Sequence, residues 1–270
     1  MKLQRLLSLT RQAVDEFQMI EEGDKIAVGI SGGKDSLTLL YALSYLQRFY
    51  LKHFTIEAIT VHPGYEGFDL SPVQALCDEL EVPYTIVHTQ ISGILFEARK
   101  ETHPCALCAK LRKGAFNEKA LELGCNKIAY AHHKNDVVET FMMSLIMEGR
   151  IYTFSPVTHL DRTGLTLIRP LIFVEEPEVK GFMKKYQLPV VKNPCPVDGY
   201  TQRQYMKELL ANLNRDHHGA LNRIFTAIMN GGLPDWVMAR AGGRLTGSMD
   251  GAGYLAADHG DRLHGREDAK

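Results

Sequence analysis

The chain has 270 residues, 45% of them hydrophobic, with 31 Lys and Arg against 32 Asp and Glu. That is enough to bury one large core with an appendage. The balanced charge excludes a global basic field, so a nucleic-acid partner would be held by a local patch. The first residues, MKLQRLLSLTRQAVDEF, mix charges into an apolar periodicity and read as an amphipathic helix rather than a secretion leader. No apolar run is long enough to span a bilayer, and no membrane contact is expected.

Short β-type runs then alternate with helical stretches. Strands are expected at 25–30, 55–62, 84–88 and 127–131, and helices at 35–50, 69–80, 105–123 and 136–147. This alternation predicts the α/β class: a doubly wound parallel sheet, preceded by the N-terminal helix and followed by a helical extension. Residues 158–169 read as a hairpin or strand extension turning at 161–164, followed by helices at 175–186, 202–216 and 218–229. The expected division is a helix at 1–20, an α/β domain at 21–175 with a C-x-x-C insertion, a helical segment at 176–235, and a disordered tail at 236–270. The Met-rich run FMMSLIM at 141–147 is expected in the core.

The first strand runs into VGISGGKDSL at 28–37. A strand that ends in glycines and opens a helix offers free backbone N–H groups and a positive dipole end to an anion. The spacing is neither a Walker A loop nor G-x-G-x-x-G. Ser31, Gly32, Gly33, Lys34, Asp35 and Ser36 instead match the S-G-G-x-D-S signature, and the chain here resembles the PP-loop ATP pyrophosphatases. That resemblance implies a grip on the β,γ-pyrophosphate of ATP and cleavage between the α and β phosphates. Asp35 would suit a Mg²⁺ ligand. The other strand ends are polar as well: His62, His88, and the stretch from His132 and His133 to Asp136. Ligands of such sheets bind at those ends.

Cysteines stand at 77, 105, 108, 125 and 195. An odd count without a leader leads us to expect reduced thiols and a cytoplasmic protein. Cys105 and Cys108 follow Pro104 at a helix start, three residues apart, so both sulfurs face one side. The helix N-terminus, with Lys110, Arg112 and Lys113 nearby, is expected to favour thiolates. The pair alone leaves zinc, an iron–sulfur cluster or a redox couple open. Cys195, flanked by prolines, is the third candidate, whereas Cys77 and Cys125 are expected to be buried. Three thiolates suit a [4Fe-4S] cluster with one iron left open.

Taken together, residues 1–230 resemble the tRNA 2-thiocytidine synthetases (TtcA-type). Four blocks carry the likeness: 31–36, 104–114, AHHKNDVVETF at 131–141 and PCPVDGYTQRQ at 194–204, with Arg169-Pro-Leu171 beside them. The resemblance implies an enzyme that adenylates O2 of a tRNA anticodon-loop cytidine and replaces it with sulfur. It assigns the cluster to Cys105, Cys108 and Cys195, and ATP to the loop at 31–36 with His62, His132, His133 and Asp136. It further implies tRNA, a sulfur donor (a cysteine desulfurase or free sulfide), ATP and Mg²⁺, and a homodimer.

The sequence departs from the family pattern at Ala131 and Asn135, where Gly and a second acid are usual, and at Asp198, where relatives often carry another cysteine. Lys110–Lys113 and the segment 202–207 are candidate tRNA-phosphate contacts, and Tyr200 or Tyr205 a candidate base stacker. Competing readings are a thiolase acting on uridine or a small molecule, a lysidine-type ligase, which would have no use for the cysteines, and a non-catalytic nucleotide- and RNA-binding module.

Overall fold

The structure, a computed structural model, describes residues 1–95, 104–191, 194–195 and 202–240. Its sheet is built from β1 (Asp24–Gly29), β2 (Phe54–His62), β3 (Tyr84–His88), β4 (Lys127–Ala129), β5 (Val157–His159) and β6 (Thr166–Ile168) in the order β3-β2-β1-β4-β6-β5. The strands β1 to β4 and β6 run parallel, with Ile26 opposite both Ile56 and Lys127, and Val28 opposite Ala58 and Ala129.

Alternation along these strands sends side chains to two separate cores. Ile26, Val28, Ile56, Ala58, Ala129 and Ile168 face the larger cluster; Ala27, Ile59, Val61, Ile128 and Leu167 face the smaller one. The larger face is covered by α1 (Leu3–Glu16) and α2 (Lys34–Gln47), then by α3 (Ser71–Glu79) and α7 (Glu176–Tyr186). Ten of α2's fourteen residues are buried, as befits a helix wrapped on several sides. On the smaller face lies α5 (Pro104–Glu122), through Phe116 and Ala120, after a single turn α4 (Ile91–Gly93). The doubly wound expectation therefore holds.

The edge strand β5 runs antiparallel to β6 as the expected hairpin, since the short connection from His159 to Thr166 allows no parallel return. Two findings adjust the expectations. The run at 141–147 is not all core. Its half near the end of α6 (Lys134–Glu148) is exposed, with Ile146 at 55%. Seven consecutive residues circle a helix about twice, so they cannot all face one core. Finally, after α8 (Gln202–Asp216) and α9 (Ala220–Asn230), a further helix α10 (Pro234–Arg240) extends past the boundary expected at 235. Trp236 anchors it, fully buried edge-on to Phe17 and Phe225 at 5.8 and 6.0 Å. Residues 241–270, where the tail was expected, lie outside the described residues.

Candidate active site

The strand order reverses between β1 and β4, and both strands end in polar loops there. That is the crevice where sheets of this kind bind ligands. After β1, Gly32 takes φ +81° and Gly33 caps α2, which leaves the first N–H groups of the helix without intrahelical partners. The two serines lock the turn. Ser36 Oγ lies 3.1 Å from Ser31 Oγ and donates to Gly33 O at 2.9 Å, and Gly33 N–H donates to Ser31 Oγ at 3.3 Å. A side chain at Gly32 would stand 3.3 Å from Val191 Cβ, in a left-handed backbone that disfavours any Cβ.

Across the switch point, β4 delivers Ala131 to Asp136. His133 caps α6 in a reciprocal box: Asp136 N–H donates to its Nδ1, and Asp136 Oδ2 accepts from His133 N–H at 2.8 Å. The other ring nitrogen lies 3.7 Å from Asp35 Oδ1, so this buried imidazole joins the phosphate turn to α6. Asp35 Oδ2 takes Lys34 Nζ at 2.9 Å, while its buried Oδ1 has no hydrogen-bond partner. An orphaned carboxylate oxygen at an anion-binding turn fits a cation ligand.

His132 packs tilted against Phe154 at 4.8 Å, and its Nδ1 is likewise buried without a partner. Burial, reinforced by Arg169, Arg203 and His133, pushes it well below the usual imidazole range, so it is neutral. Arg169 itself lies over Phe154 and donates to Ser155 O and Thr158 Oγ1, bracing the hairpin. His62, at the end of β2, accepts from Gly64 N–H at 3.1 Å and packs on His88 and Phe68. Asn135 points elsewhere: its Oδ1 accepts from Glu176 N–H at 2.9 Å and caps α7. At this position the departure from the family pattern has a structural role, capping α7.

Two charged networks tie the C-terminal helices to this crevice. Glu176 is buried among Lys34 (3.5 Å), Lys180 (3.2 Å) and Lys207 (2.6 Å). Burial alone would raise its carboxyl, but Lys207 foremost, with Lys34 and Lys180, holds it at about 2. Arg203 reaches Asp136 at 3.5 Å, Glu139 at 3.3 Å and Thr140 at 3.3 Å. Burial and then Asp136 push Glu139 up to about 7 despite Arg203. Arg203 and Lys207, expected as tRNA contacts, thus pair with carboxylates of the crevice while remaining partly exposed. Between the two networks, Val191 N–H donates to Gly32 O at 3.0 Å, holding the segment that leads to Cys195 against the phosphate turn.

The cysteines sort as expected by burial. Cys77 and Cys125 are buried, and burial pushes their thiols up to about 12 and about 11. Cys105 is exposed; Cys108 and Cys195 are half-buried. The three share one neighbourhood: Cys105 and Cys195 both act electrostatically on Cys108, and Tyr65 Oη lies 3.5 Å from Cys195 Sγ. At Cys108 the surroundings do not favour the thiolate expected from the basic residues. Burial raises Cys108, and the opposing pull of Arg112 is smaller. Burial and the two sulfurs also push the Tyr65 phenol above its usual range. Among the described residues, no three His, Cys, Asp or Glu side chains converge as a cage for one metal ion.

A PP-loop domain model matches residues 6–213. The tRNA-cytidine(32) 2-sulfurtransferase of Geobacter metallireducens is 37% identical over 222 residues, 81% of this chain and 86% of that relative. The enzyme of the same name from Pseudomonas syringae is 36% identical over 232 residues, 85% of each chain. The chain belongs to the PP-loop tRNA-cytidine 2-sulfurtransferase family. Among solved structures, the U34-tRNA thiolase NcsA from Methanococcus maripaludis with its [4Fe-4S] cluster superposes with a TM-score of 0.67 at 25% identity, over 82% of this chain and 76% of that one.

For a 2-sulfurtransferase family member, the sequence signals brought the phosphate turn, His133 and Asp136 into direct contact. They left His62 and His132 at the ends of β2 and β4, on either side of β1. Three functional candidates escaped sequence reading: Tyr65, Glu139 and Glu176. Glu139 lies within the quoted block at 131–141, three residues from Asp136 on one helix face, and that spacing was the available signal. Glu176 and Tyr65 carried none, since their partners are remote in sequence. Tyr200 and Asp198 lie outside the described residues.

Proposed function

We propose that the protein is an ATP-dependent tRNA sulfurtransferase that converts an anticodon-loop cytidine to 2-thiocytidine. The observation that carries this reading is the bond between Val191 N–H and Gly32 O, in a chain of this family: it joins the approach to Cys195 to the phosphate turn. Activation by ATP and delivery of sulfur must act on the same base, so the two sites have to be neighbours.

In this scheme cytidine O2 attacks the α-phosphorus of ATP and pyrophosphate leaves. Sulfur then adds at C2, and O2 departs as part of AMP. Backbone N–H groups at 33–36 and Lys34 hold the pyrophosphate, and the preorganised turn stabilises charge developing on it. Asp35 and Asp136 would hold Mg²⁺, for which the orphaned Asp35 oxygen speaks. Neutral His132, after β4, and His62, at the end of β2, flank the nucleotide on either side of β1.

Cys105, Cys108 and Cys195 would hold a [4Fe-4S] cluster, which when bound supplies an open iron for the incoming sulfur. Three cysteines in one neighbourhood suit a cluster with one open iron, whereas structural zinc wants four ligands. The same proposal takes a cysteine desulfurase or free sulfide as donor, a homodimer and a cytoplasmic setting. No helix among the described residues is long and apolar enough to cross a membrane.

Mass spectrometry of nucleosides from digested tRNA, with and without the gene, tests the reading. Loss of 2-thiocytidine alone is the expected result. Loss of a 2-thiouridine instead would move the substrate to uridine, and no change in any thionucleoside would overturn tRNA thiolation.

A further inference from the structure

The sulfur of Cys195 has a partner that the scheme above leaves unused. Tyr65 Oη is placed 3.5 Å from Cys195 Sγ, 130 residues away in sequence. The turn that carries Tyr65 is braced on both sides. Ser92 N–H donates to Pro63 O at 2.8 Å, and Gly64 N–H donates to His62 Nδ1 at 3.1 Å. Gly64 has φ +94°, and a Cβ there would meet Thr89 O at 2.8 Å, so only glycine lets the turn lie this close to the end of β3. The half-buried ring is therefore delivered from a fixed corner between two strand ends, and Cys108 and Arg112 are near enough to act on it.

We propose that Tyr65 is a positioning residue for the sulfur site: its hydroxyl donates a hydrogen bond to the Cys195 sulfur, fixing that side chain and drawing charge from it when it ligates a cluster. This rests on the cluster reading given above. A donor to a negative sulfur is charge-assisted and stronger than a neutral hydrogen bond. Hydrogen bonds to ligating sulfurs are among the levers that set cluster potentials, because they favour the more negative, reduced form. They also hold the ligand against release. A phenylalanine at 65 would keep the ring and its packing and lose only the donor.

The test uses the full chain, reconstituted anaerobically with iron and sulfide, as wild type, Tyr65→Phe and Tyr84→Phe. Tyr84 donates to Thr60 Oγ1 at 2.8 Å, at the other end of β3, and controls for the loss of a phenol. Tyr65→Phe should show a lower midpoint potential by spectroelectrochemistry, and iron release to a chelator about three- to tenfold faster, the worth of about one hydrogen bond. Tyr84→Phe should match wild type in both. Replacing Tyr65 with 3-fluorotyrosine, a stronger donor of nearly the same shape, should raise the potential. An intact cluster with potential and release rate unchanged in Tyr65→Phe, or no rise with 3-fluorotyrosine, would overturn the hydrogen bond alone. A wild-type protein that takes zinc and no cluster would overturn the cluster reading, and this proposal with it.

Discussion

The nucleotide end and the sulfur end of the crevice are built in different ways. At the nucleotide end, side chains lock one another in place while Asp35 Oδ1, His132 Nδ1 and the first N–H groups of α2 stay without partners. The serines lock the turn, His133 spans Asp35 and Asp136, and Lys34 runs to Glu176. At the sulfur end, Cys105 is exposed, Cys108 is half-buried with its thiol raised, and Cys195 is reached by a tyrosine from another loop. Phosphates are gripped largely by backbone, so their site can be completed by the fold itself. A metal cluster is held by side chains alone, so its ligands need only be brought to one side and completed by the group they bind. The two ends meet at the hydrogen bond between Val191 and Gly32 and at the ion pairs of α8.

Breaking the charged struts should cost the most. Glu176→Gln removes a buried acceptor shared by three lysines. The shift from 4.5 to about 2 corresponds to roughly 3 kcal/mol at most, and partly exposed lysines reduce this to about 2 kcal/mol. With a depressed folded pKa, that stability is present above about pH 4.5 and is lost as pH falls toward 2. Urea melts at pH 7 and pH 3 should therefore show a large difference between variant and wild type at the higher pH and a small one at the lower.

A second break falls on the joint itself. Gly32→Ala forces a side chain into a left-handed backbone against Val191. It should cost about 1–2 kcal/mol of stability, and about tenfold or more in ATP affinity by calorimetry. Retained affinity would detach the joint from nucleotide binding.

Glu139 sharpens the comparison through the opposite sign. Its folded pKa of about 7 lies above the ordinary 4.5, so the folded state holds an extra proton between those values, and stability declines as pH rises through that window. Glu139→Gln should flatten that decline, by about 1–2 kcal/mol between pH 5 and 8 after allowance for Arg203 nearby. Thermal melts across the range would read it. An unchanged slope would remove Glu139 as its source.

The smallest effect is expected at Asn135. Asn135→Ala should cost about 1 kcal/mol as a lost helix cap. Asn135→Asp should leave stability and ATP affinity nearly unchanged, because the side chain points at α7. A marked gain of Mg²⁺-dependent ATP affinity would instead make position 135 a metal-ligand position.

Much of this was legible in the chain because its determinants are local. Strand alternation, the serines and glycines of the phosphate turn, and the proline before Cys105 each act within a few residues, and the structure keeps all of them. The struts were not legible. Lys34–Glu176, Arg203–Glu139 and Tyr65–Cys195 join residues 142, 64 and 130 positions apart, and nothing in one segment announces the other. The exposed end of α6 misled for the reverse reason: apolar composition alone does not say how far neighbouring helices extend over it.

The central claim is a division of labour between the two ends, and one variant tests it most directly. Cys195→Ser should abolish 2-thiocytidine formation on tRNA while ATP affinity, measured by calorimetry on the same preparation, stays within about twofold of wild type, less than a 1 kcal/mol change. Equal loss of both, in a protein that melts like wild type, would contradict it.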